Sequence, residues 1–347
     1  MELKVPYKDK VALGYSLMRT AHFTAQQLSL PLFDFLRTGK VSKKTDPEQL
    51  PAMLRSLYEL LKKDAENINK GLYPLEVLKP EKPGTHFLRY PQIIWDGFQI
   101  ARRRDDRNQT DFNVEAQQYL SEVPEYYRRN FHFQTGGYLT RKSAELYEHQ
   151  VEILFAGAGD AMRRLLLPML KKHWNTDGDG LHFLELGAGT GRMTRFVKLI
   201  YPKARITVMD LSYPYLQVAQ RKLKNFDRLD FVQGAAEEIP FVDERFDAVY
   251  SSFLYHELPR SVRQKNLEEI MRVLKPGGMV GIVDSLQNED AQELGWALQQ
   301  FPVDFHEPFY KNYVENPMEG LLQKAGFQGI EKDCGFFAKA LLGKKPF

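Results

Sequence analysis

The chain has 347 residues, of which 43% are hydrophobic and 27% are charged, a composition typical of a globular protein with a sizeable core. Subtracting 45 acidic from 48 basic residues leaves a net charge of +3, which is too near neutrality to indicate a nucleic-acid binder. The single cysteine, Cys334, cannot form an internal disulfide, and this fits a reducing cytoplasm. The polar amino terminus resembles no secretory signal, and no run reaches the ~18 apolar residues of a membrane-spanning helix.

The first 170 residues carry mainly helical patterns. A helix is predicted from Asp46-Pro47 to Gly71, because apolar residues keep helical spacing there and proline occupies the first helical position. Residues 74–93 contain four prolines, which predicts an extended or irregular segment. A long helical pattern follows Thr140, breaks at Gly157-Ala158-Gly159 and resumes over residues 161–174.

From about Leu181 onward, short apolar runs alternate with amphipathic stretches, which is typical of βα units in a doubly wound α/β sheet. The helix before the last predicted strand is expected to begin with Ser261 as its N-cap and to end at Leu274. The five predicted strands are residues 182–186, 205–209, 229–233, 248–251 and 279–283.

A polar, glycine-containing segment, residues 175–180, separates the two patterns. We therefore expect a mainly helical domain at residues 1–175, which would form a substrate pocket or lid. A second domain is expected at residues 176–347.

The strongest local signal is the segment FLELGAGTGR at residues 183–192, in which a strand runs into three glycines and then into a helix. Gly187, Gly189 and Gly191 let the backbone turn tightly and approach a ligand, and the helix start presents free N–H groups. Their spacing, G-x-G-x-G, differs from that of dinucleotide folds and from a phosphate-binding P-loop. The preceding Glu185 suits a cationic amino group better than a phosphate.

Further elements follow the later strands. The second strand ends in Asp210, 19 residues after Gly191, where a carboxylate can accept hydrogen bonds from both hydroxyls of a ribose. The segments GAAEEIPF (234–241), FDAVYSSFLYHEL (246–258) and LKPGG (274–278) come next along the chain.

Together these elements resemble the class I S-adenosylmethionine-dependent methyltransferases, and within them the ubiquinone/menaquinone C-methyltransferase-like (methyltransferase type 11) branch. The likeness is close over residues 181–285, and residues 318–327 resemble the last helix before the terminal hairpin of that family. It implies a Rossmann-like methyltransferase sheet in the second domain, methyl transfer as the activity and S-adenosylmethionine as the cofactor. The residues that it assigns to cofactor binding are Glu185, Gly187, Ala188, Gly189, Gly191, Asp210, Leu211, Ala235, Ala236 and Ser251.

The same resemblance gives these residues roles. Asp210 would hold the ribose, Ala235 and Ala236 would flank the adenine, and Ser251 would line the methionine end. One position departs from the family, which usually has Gly-Asp-Ala where this chain has Gly-Ala-Ala at residues 234–236. The contact to the adenine amino group then falls to the backbone of Ala236 or to Glu237.

Methyl transfer from a sulfonium is an in-line displacement, and a base helps only when the acceptor must lose a proton. His256, just past the fourth strand, is the best candidate for that base, and its neighbour Tyr255 for positioning an acceptor. A purely structural role for His256 is an equal alternative. Asp284, at the end of the fifth strand, is a second candidate base, with helix capping as the alternative. The sequence indicates no metal site.

Three other segments allow two interpretations each. The aromatic-rich residues 126–138, with Gly136-Gly137, form either a lid or an anchor for the helical half; we expect an anchor with one or two aromatic side chains at the pocket. His306 and Glu307 lie in a segment that either covers the acceptor or, as we expect, forms a surface loop. Arg163 and Arg164 either meet the cofactor carboxylate or, as we expect, end a surface helix.

We therefore expect a methyltransferase that acts on a small or lipophilic molecule, for which the branch resemblance implies a quinone-like or other ring compound. We expect a monomer or homodimer in the cytoplasm, without a nucleic-acid partner and without an integral membrane segment. One alternative is an RNA methyltransferase, which a net charge of only +4 over residues 1–150 disfavours. The other is a catalytically silent S-adenosylmethionine-binding module that recruits a partner through its helical half.

Overall fold

The computed structural model describes residues 7–38, 48–80, 84–106, 108–290 and 292–347. The strands are β1 (His182–Leu186), β2 (Arg205–Asp210), β3 (Leu229–Gln233), β4 (Phe246–Ser252), β5 (Leu274–Ser285), β6 (Gln328–Gly335) and β7 (Ala338–Lys344). The helices of the first half are α1 (Lys8–Thr38), α2 (Leu50–Asn69), α3 (Thr85–Asp106), α4 (Val114–Gln117), α5 (Arg141–Leu154), α6 (Gly159–Arg163) and α7 (Leu166–His173). Those of the second half are α8 (Arg192–Ile200), α9 (Tyr213–Lys222), α10 (Arg260–Val273), α11 (Gly295–Asp304), α12 (Tyr310–Val314) and α13 (Met318–Lys324).

The seven strands form one sheet in the order β3-β2-β1-β4-β5-β7-β6. The first five are parallel, and β7 runs antiparallel between β5 and β6. Leu186 is level with Met209 of β2 and with Ser251 of β4. The residues that follow these three therefore meet at one edge of the sheet, where ligands bind in doubly wound folds. The predicted fold class is confirmed.

The helical first half packs directly on this sheet. One hydrophobic cluster joins Leu57 and Leu61 of α2, Leu166 and Leu170 of α7, and Leu342 of β7. Residues on both sides of the predicted boundary at 175/176 thus share a core. Among the described residues, no helix combines the length and apolarity needed to cross a bilayer.

Two local predictions on the first half are corrected. The segment 74–93 is not irregular throughout, because a 3₁₀ turn covers Leu75–Leu78 and α3 continues through Pro91. A proline inside a helix costs about 3 kcal/mol, but α3 also buries Ile93 against Phe23 and Leu146, and this packing favours the helix. The predicted stretch 161–174 consists of two helices, α6 and α7, instead of one. The predicted helix start at Asp46-Pro47 lies outside the described residues.

One helix start in the second half is also corrected. α10 begins at Arg260 after Pro259, so Ser261 is not its N-cap. The helix ends before Leu274, because Leu274 already pairs with Phe246 of β4. β5 therefore begins five residues earlier than predicted, at 274 instead of 279.

Candidate active site

The glycine loop between β1 and α8 is held against the end of β2 by backbone hydrogen bonds. The Ala188 N–H donates to the Met209 carbonyl at 3.0 Å, and the Gly189 N–H donates to Asp210 Oδ2 at 2.7 Å. Gly191 has φ of +78°, and a Cβ there would lie 2.6 Å from Leu223 Cδ1. A side chain at this position is therefore both strained and obstructed.

Asp210 lies at the junction of the loop and β2. Its Oδ1 accepts the Ser212 N–H at 2.7 Å, while Oδ2 accepts that of Gly189. Burial raises the pKa of Asp210 to about 6, although the backbone N–H groups act in the opposite direction. Because a carboxylate oxygen can accept more than one hydrogen bond, both oxygens keep acceptor capacity for a ligand.

A cavity opens over the ends of β1, β2 and β4. The predicted cofactor residues on its wall are Gly187, Ala188, Gly189, Asp210, Leu211 and Ala236. Glu185, Gly191, Ala235 and Ser251 are not among the described residues that line it, and Ser252 lies on the wall beside Ser251. We call this space the cofactor cavity.

Glu185 is fully buried below this cavity. Its Oε2 accepts a hydrogen bond from the Thr194 hydroxyl at 2.5 Å, and burial raises the pKa of its carboxyl to about 8. The protonated form is therefore favoured at neutral pH. This neutral state suits packing under the loop better than contact with a cationic amino group.

The position that departs from the family pattern has a partner of its own. The Ala236 carbonyl accepts the Asn266 side-chain amide at 2.7 Å. Glu237 Oε1 accepts the Tyr126 hydroxyl at 2.7 Å, and within the described chain its buried Oε2 has no hydrogen-bond partner. Tyr126 thus links the aromatic segment to this wall.

The aromatic segment at residues 126–138 covers the cofactor cavity. Tyr126, Tyr127 and Tyr138 line it, which is more than the one or two aromatic side chains expected. The Tyr138 carbonyl accepts the Ser212 hydroxyl at 2.5 Å, and Phe131 packs in a cluster with Tyr138. The segment thus both anchors the helical half and closes the cavity.

A second cavity adjoins the first, and we call it the acceptor cavity. The two share Tyr147, Phe253 and Glu257 as wall residues. The rest of the acceptor cavity is mainly apolar. Its other described wall residues are His132, Val151, Leu154, Phe155, His256, Ser285, Ala297, Leu298, Phe301, Tyr310 and Phe337.

His256 lies on the wall of the acceptor cavity, and its orientation is fixed by Asp284. The His256 Nδ1 is 2.6 Å from Asp284 Oδ1, and the Tyr255 and Ser285 N–H groups donate to the same carboxylate at 2.7 Å. Burial lowers the pKa of His256, but Asp284 outweighs this and raises it to about 10. Asp284 therefore orients the imidazole and also accepts the first N–H of the 3₁₀ turn Tyr255–Glu257.

Tyr255 is not at either cavity within the described chain. Its side chain is fully buried, and its hydroxyl donates to Asn266 Oδ1 at 2.5 Å. Its hydroxyl therefore bonds to α10, and its role in positioning an acceptor stays a prediction.

The expectations for two further segments are wrong. His306 and Glu307 are buried rather than in a surface loop, because the Phe305–Glu307 stretch packs on the His132 backbone. Arg163 and Arg164 do not end a surface helix, because each is only 3% exposed. Arg164 is paired with Asp64, whereas Arg163 lies on the cofactor cavity wall, 3.4 Å from a Glu148 oxygen.

Sequence reasoning missed how His132, Glu257 and Glu307 come together. His132 Nε2 lies 2.9 Å from the Tyr138 hydroxyl and 3.4 Å from Glu257 Oε1, while its Nδ1 lies 3.0 Å from Glu307 Oε1. Burial raises the pKa of Glu307 to about 7, against the opposing effect of the two histidines. These residues are 125 and 175 positions from His132, so no local pattern could have shown their proximity.

Part of the chain is similar to known methyltransferases. Residues 183–278 match the family model described as a methyltransferase domain. A demethylmenaquinone methyltransferase of Clavibacter sepedonicus is 39% identical over 30% of this chain and 41% of its own length. A ubiquinone/menaquinone biosynthesis C-methyltransferase of Blochmanniella floridana is 31% identical over 41% of this chain and 55% of its own length. A fatty-acid O-methyltransferase of Mycolicibacterium smegmatis is 34% identical over 37% of this chain and 45% of its own length.

Residues 183–278 therefore match a methyltransferase domain. Among methyltransferases the chain is similar to the ubiquinone/menaquinone C-methyltransferase branch, and it spans about half the length of the curated relatives it matches. The predicted resemblance is confirmed, and S-adenosylmethionine is the cofactor that it implies.

The cavity residues fit this cofactor. Arg163 Nη1 is buried without a hydrogen-bond partner in the described part of the chain, so a carboxylate could satisfy it. Asp210 keeps acceptor capacity for hydroxyl groups, and the glycine loop leaves room for close backbone approach.

Proposed function

We propose that the protein transfers the methyl group of S-adenosylmethionine to a lipophilic acceptor. The observation that carries this proposal is the adjoining pair of cavities, one walled by the glycine loop and Asp210 and the other by apolar side chains around His256. This arrangement suits an in-line transfer from a ligand in the first cavity to a ligand in the second.

In the cofactor cavity, Asp210 would hold the ribose, Arg163 the carboxylate, and the glycine loop the methionine chain. Ala236 and the tyrosines of the aromatic segment would enclose the adenine. When bound, the cofactor supplies an electrophilic methyl group. The three tyrosines over the cavity reduce access of water to it.

The acceptor cavity leads into an apolar channel between α3 and α5. The channel has a volume of about 420 Å³, and it shares His132, Tyr147, Val151 and Leu154 with the acceptor cavity. Its α3 wall is largely isoleucine and phenylalanine. An acceptor with an apolar chain or ring fits this lining. The similarity to a ubiquinone/menaquinone biosynthesis C-methyltransferase and to a fatty-acid O-methyltransferase supports the same class of acceptor.

In its neutral form, which becomes more populated as the pH rises toward the raised pKa of about 10, His256 would take the proton of the acceptor. With Nδ1 hydrogen-bonded to Asp284, its Nε2 is left at the cavity wall, 3.8 Å from Glu257 Oε1. A histidine oriented by a carboxylate is an arrangement that serves proton transfer. Asp284 would act as a positioning residue for this imidazole.

We also propose that residues 1–175 form the substrate pocket or lid by supplying most of the apolar channel and one wall of the acceptor cavity, whose other wall comes from residues 253–337. Residues 176–347 would form the cofactor domain, in a cytoplasmic monomer or homodimer. The apolar channel supports the first part, because both of its helices belong to the helical half. Size-exclusion chromatography coupled to light scattering determines the oligomeric state.

Calorimetric titration with S-adenosylmethionine and S-adenosylhomocysteine tests the cofactor site, with NADH as the control ligand. We expect micromolar binding of both sulfur ligands, no binding of NADH, and at least tenfold weaker binding by Asp210→Ala. Failure of both sulfur ligands to bind a folded protein would contradict the proposal. Cofactor binding without turnover on any acceptor would favour the silent module.

The acceptor channel is tested with a bulky residue at its junction with the acceptor cavity. Val151→Trp should raise the KM of a long-chain quinol or fatty acid at least tenfold and leave S-adenosylhomocysteine affinity unchanged, because Val151 lies outside the cofactor cavity wall. Val242→Trp, at a 69% exposed position, is the matched control. Equal KM values for the two variants would exclude the channel as the path of the acceptor chain.

A further inference from the structure

A cluster of ligating side chains lies where the two cavities meet. His132, Glu257 and Glu307 each offer one ligand atom, and these three atoms lie within 4.8 Å of one another. They come from the aromatic segment, the turn after β4 and the stretch before α12. The fold, rather than any local motif, therefore assembles the cluster.

Glu307 is the unusual member of this cluster. Its side chain is fully buried, and neither of its carboxylate oxygens accepts a hydrogen bond within the described part of the chain. A buried carboxylate is costly unless it is paired, hydrogen-bonded or bound to a metal. His132 Nδ1 lies 3.0 Å from Glu307 Oε1 and can pair with that oxygen only, so Glu307 Oε2 has no partner within the described residues.

We propose that His132, Glu257 and Glu307 bind one divalent first-row transition-metal ion. One imidazole nitrogen and two carboxylate oxygens form a donor set that suits zinc, manganese or iron. At metal–ligand distances of about 2.0–2.2 Å, ligands on opposite sides of an ion are about 4 Å apart. The 4.8 Å span therefore closes around an ion with small side-chain movements.

The surrounding groups favour a cation at this place. Glu257, Glu307 and Asp284 place three carboxyl groups around two histidines, His132 and His256. The Tyr138 hydroxyl donates to Glu257 Oε1 at 2.5 Å and so orients a proposed ligand, as outer-shell groups do at metal sites. The competing arrangement is a metal-free imidazolium of His132 between the two glutamates, which would bind no ion.

The position of the cluster gives the ion a function. His132 and Glu257 line the acceptor cavity, so coordination positions not filled by protein would face the acceptor. A bound ion there would hold an acceptor oxygen and lower the pKa of its hydroxyl. This role rests on the proposed methyl transfer, whereas binding of the ion does not.

The test uses the full chain after removal of metal with a chelator. Zn²⁺ and Mn²⁺ are titrated by calorimetry, and Co²⁺ is added as a spectroscopic probe of coordination. We expect one equivalent of Zn²⁺ with a Kd in the micromolar range or below, and a visible Co²⁺ absorption band. Zn²⁺ binding weaker than about 100 μM would overturn the proposal.

Variants assign the ion to this cluster. Glu307→Gln and His132→Gln should each weaken Zn²⁺ binding at least tenfold and abolish the Co²⁺ band, while the exposed Glu315→Gln should bind like the wild type. Circular dichroism confirms that each variant is folded. Undiminished binding by both cluster variants would place the ion elsewhere and contradict the proposal. S-adenosylhomocysteine titration of the same samples reports separately on the cofactor site.

Discussion

At the glycine loop of the cofactor cavity, the groups around Asp210 belong largely to the backbone, and they come from residues 187–212. The Gly189 and Ser212 N–H groups converge on Asp210. Around the acceptor cavity the defining groups are side chains from four separate stretches, namely His132, His256 with Glu257, Asp284 and Glu307. The first site depends on local conformation, whereas the second depends on the packing of the helical half against the sheet.

The substitution His256→Gln should affect the acceptor cavity without affecting the cofactor cavity. Because His256 is on the wall of the acceptor cavity only, we expect kcat to fall by about 10²–10⁴-fold, with S-adenosylhomocysteine affinity unchanged. Turnover with tritiated methyl donor and calorimetry measure the two effects. The exposed His173→Gln serves as the control. An unchanged kcat would leave His256 with its structural role alone.

A substitution in the glycine loop should instead affect the cofactor cavity. Gly191→Ala places a Cβ against Leu223 at a φ of +78°, so the free energy of unfolding should fall by about 1–3 kcal/mol and the cofactor should bind more weakly. Denaturant titration measures the loss. Gly320→Ala is the matched control, because Gly320 lies inside α13, where a Cβ meets nothing within 4 Å. Equal stability of the two variants would contradict the local origin of the cofactor site.

The smallest expected effect concerns acid sensitivity of the helical half. His149 is fully buried, its Nε2 lies 2.7 Å from Gln26 Oε1, and burial, together with His86, lowers its pKa to about 3. Between pH 6.5 and 3 the unfolded chain therefore binds more protons at this residue than the folded chain, so stability falls as the pH falls.

We therefore expect the Tm to decrease by several degrees between pH 7 and pH 5, and by less in His149→Gln. Thermal denaturation at both pH values measures the difference, with the exposed His173→Gln as the reference. An identical decrease in wild type and His149→Gln would show that folding does not lower the pKa of His149.

The same contrast explains what could be predicted from the sequence. The five parallel strands, the glycine loop and Asp210 were predictable, because strand periodicity and glycine spacing are local signals. The burial of Glu307 and of Arg163 was not, since each depends on partners far along the chain. Helix α3 was missed for a similar reason, because packing of Ile93 outweighs the cost of Pro91.

The hydrogen bond from Tyr138 to Glu257 has a thermodynamic consequence. Tyr138 is a wall residue of the cofactor cavity, and Glu257 is a wall residue of both cavities. A ligand in one cavity that moves the Tyr138–Glu257 pair therefore changes the shape of the other cavity. The two affinities are then linked, and reciprocity requires that each ligand change the binding constant of the other by the same factor.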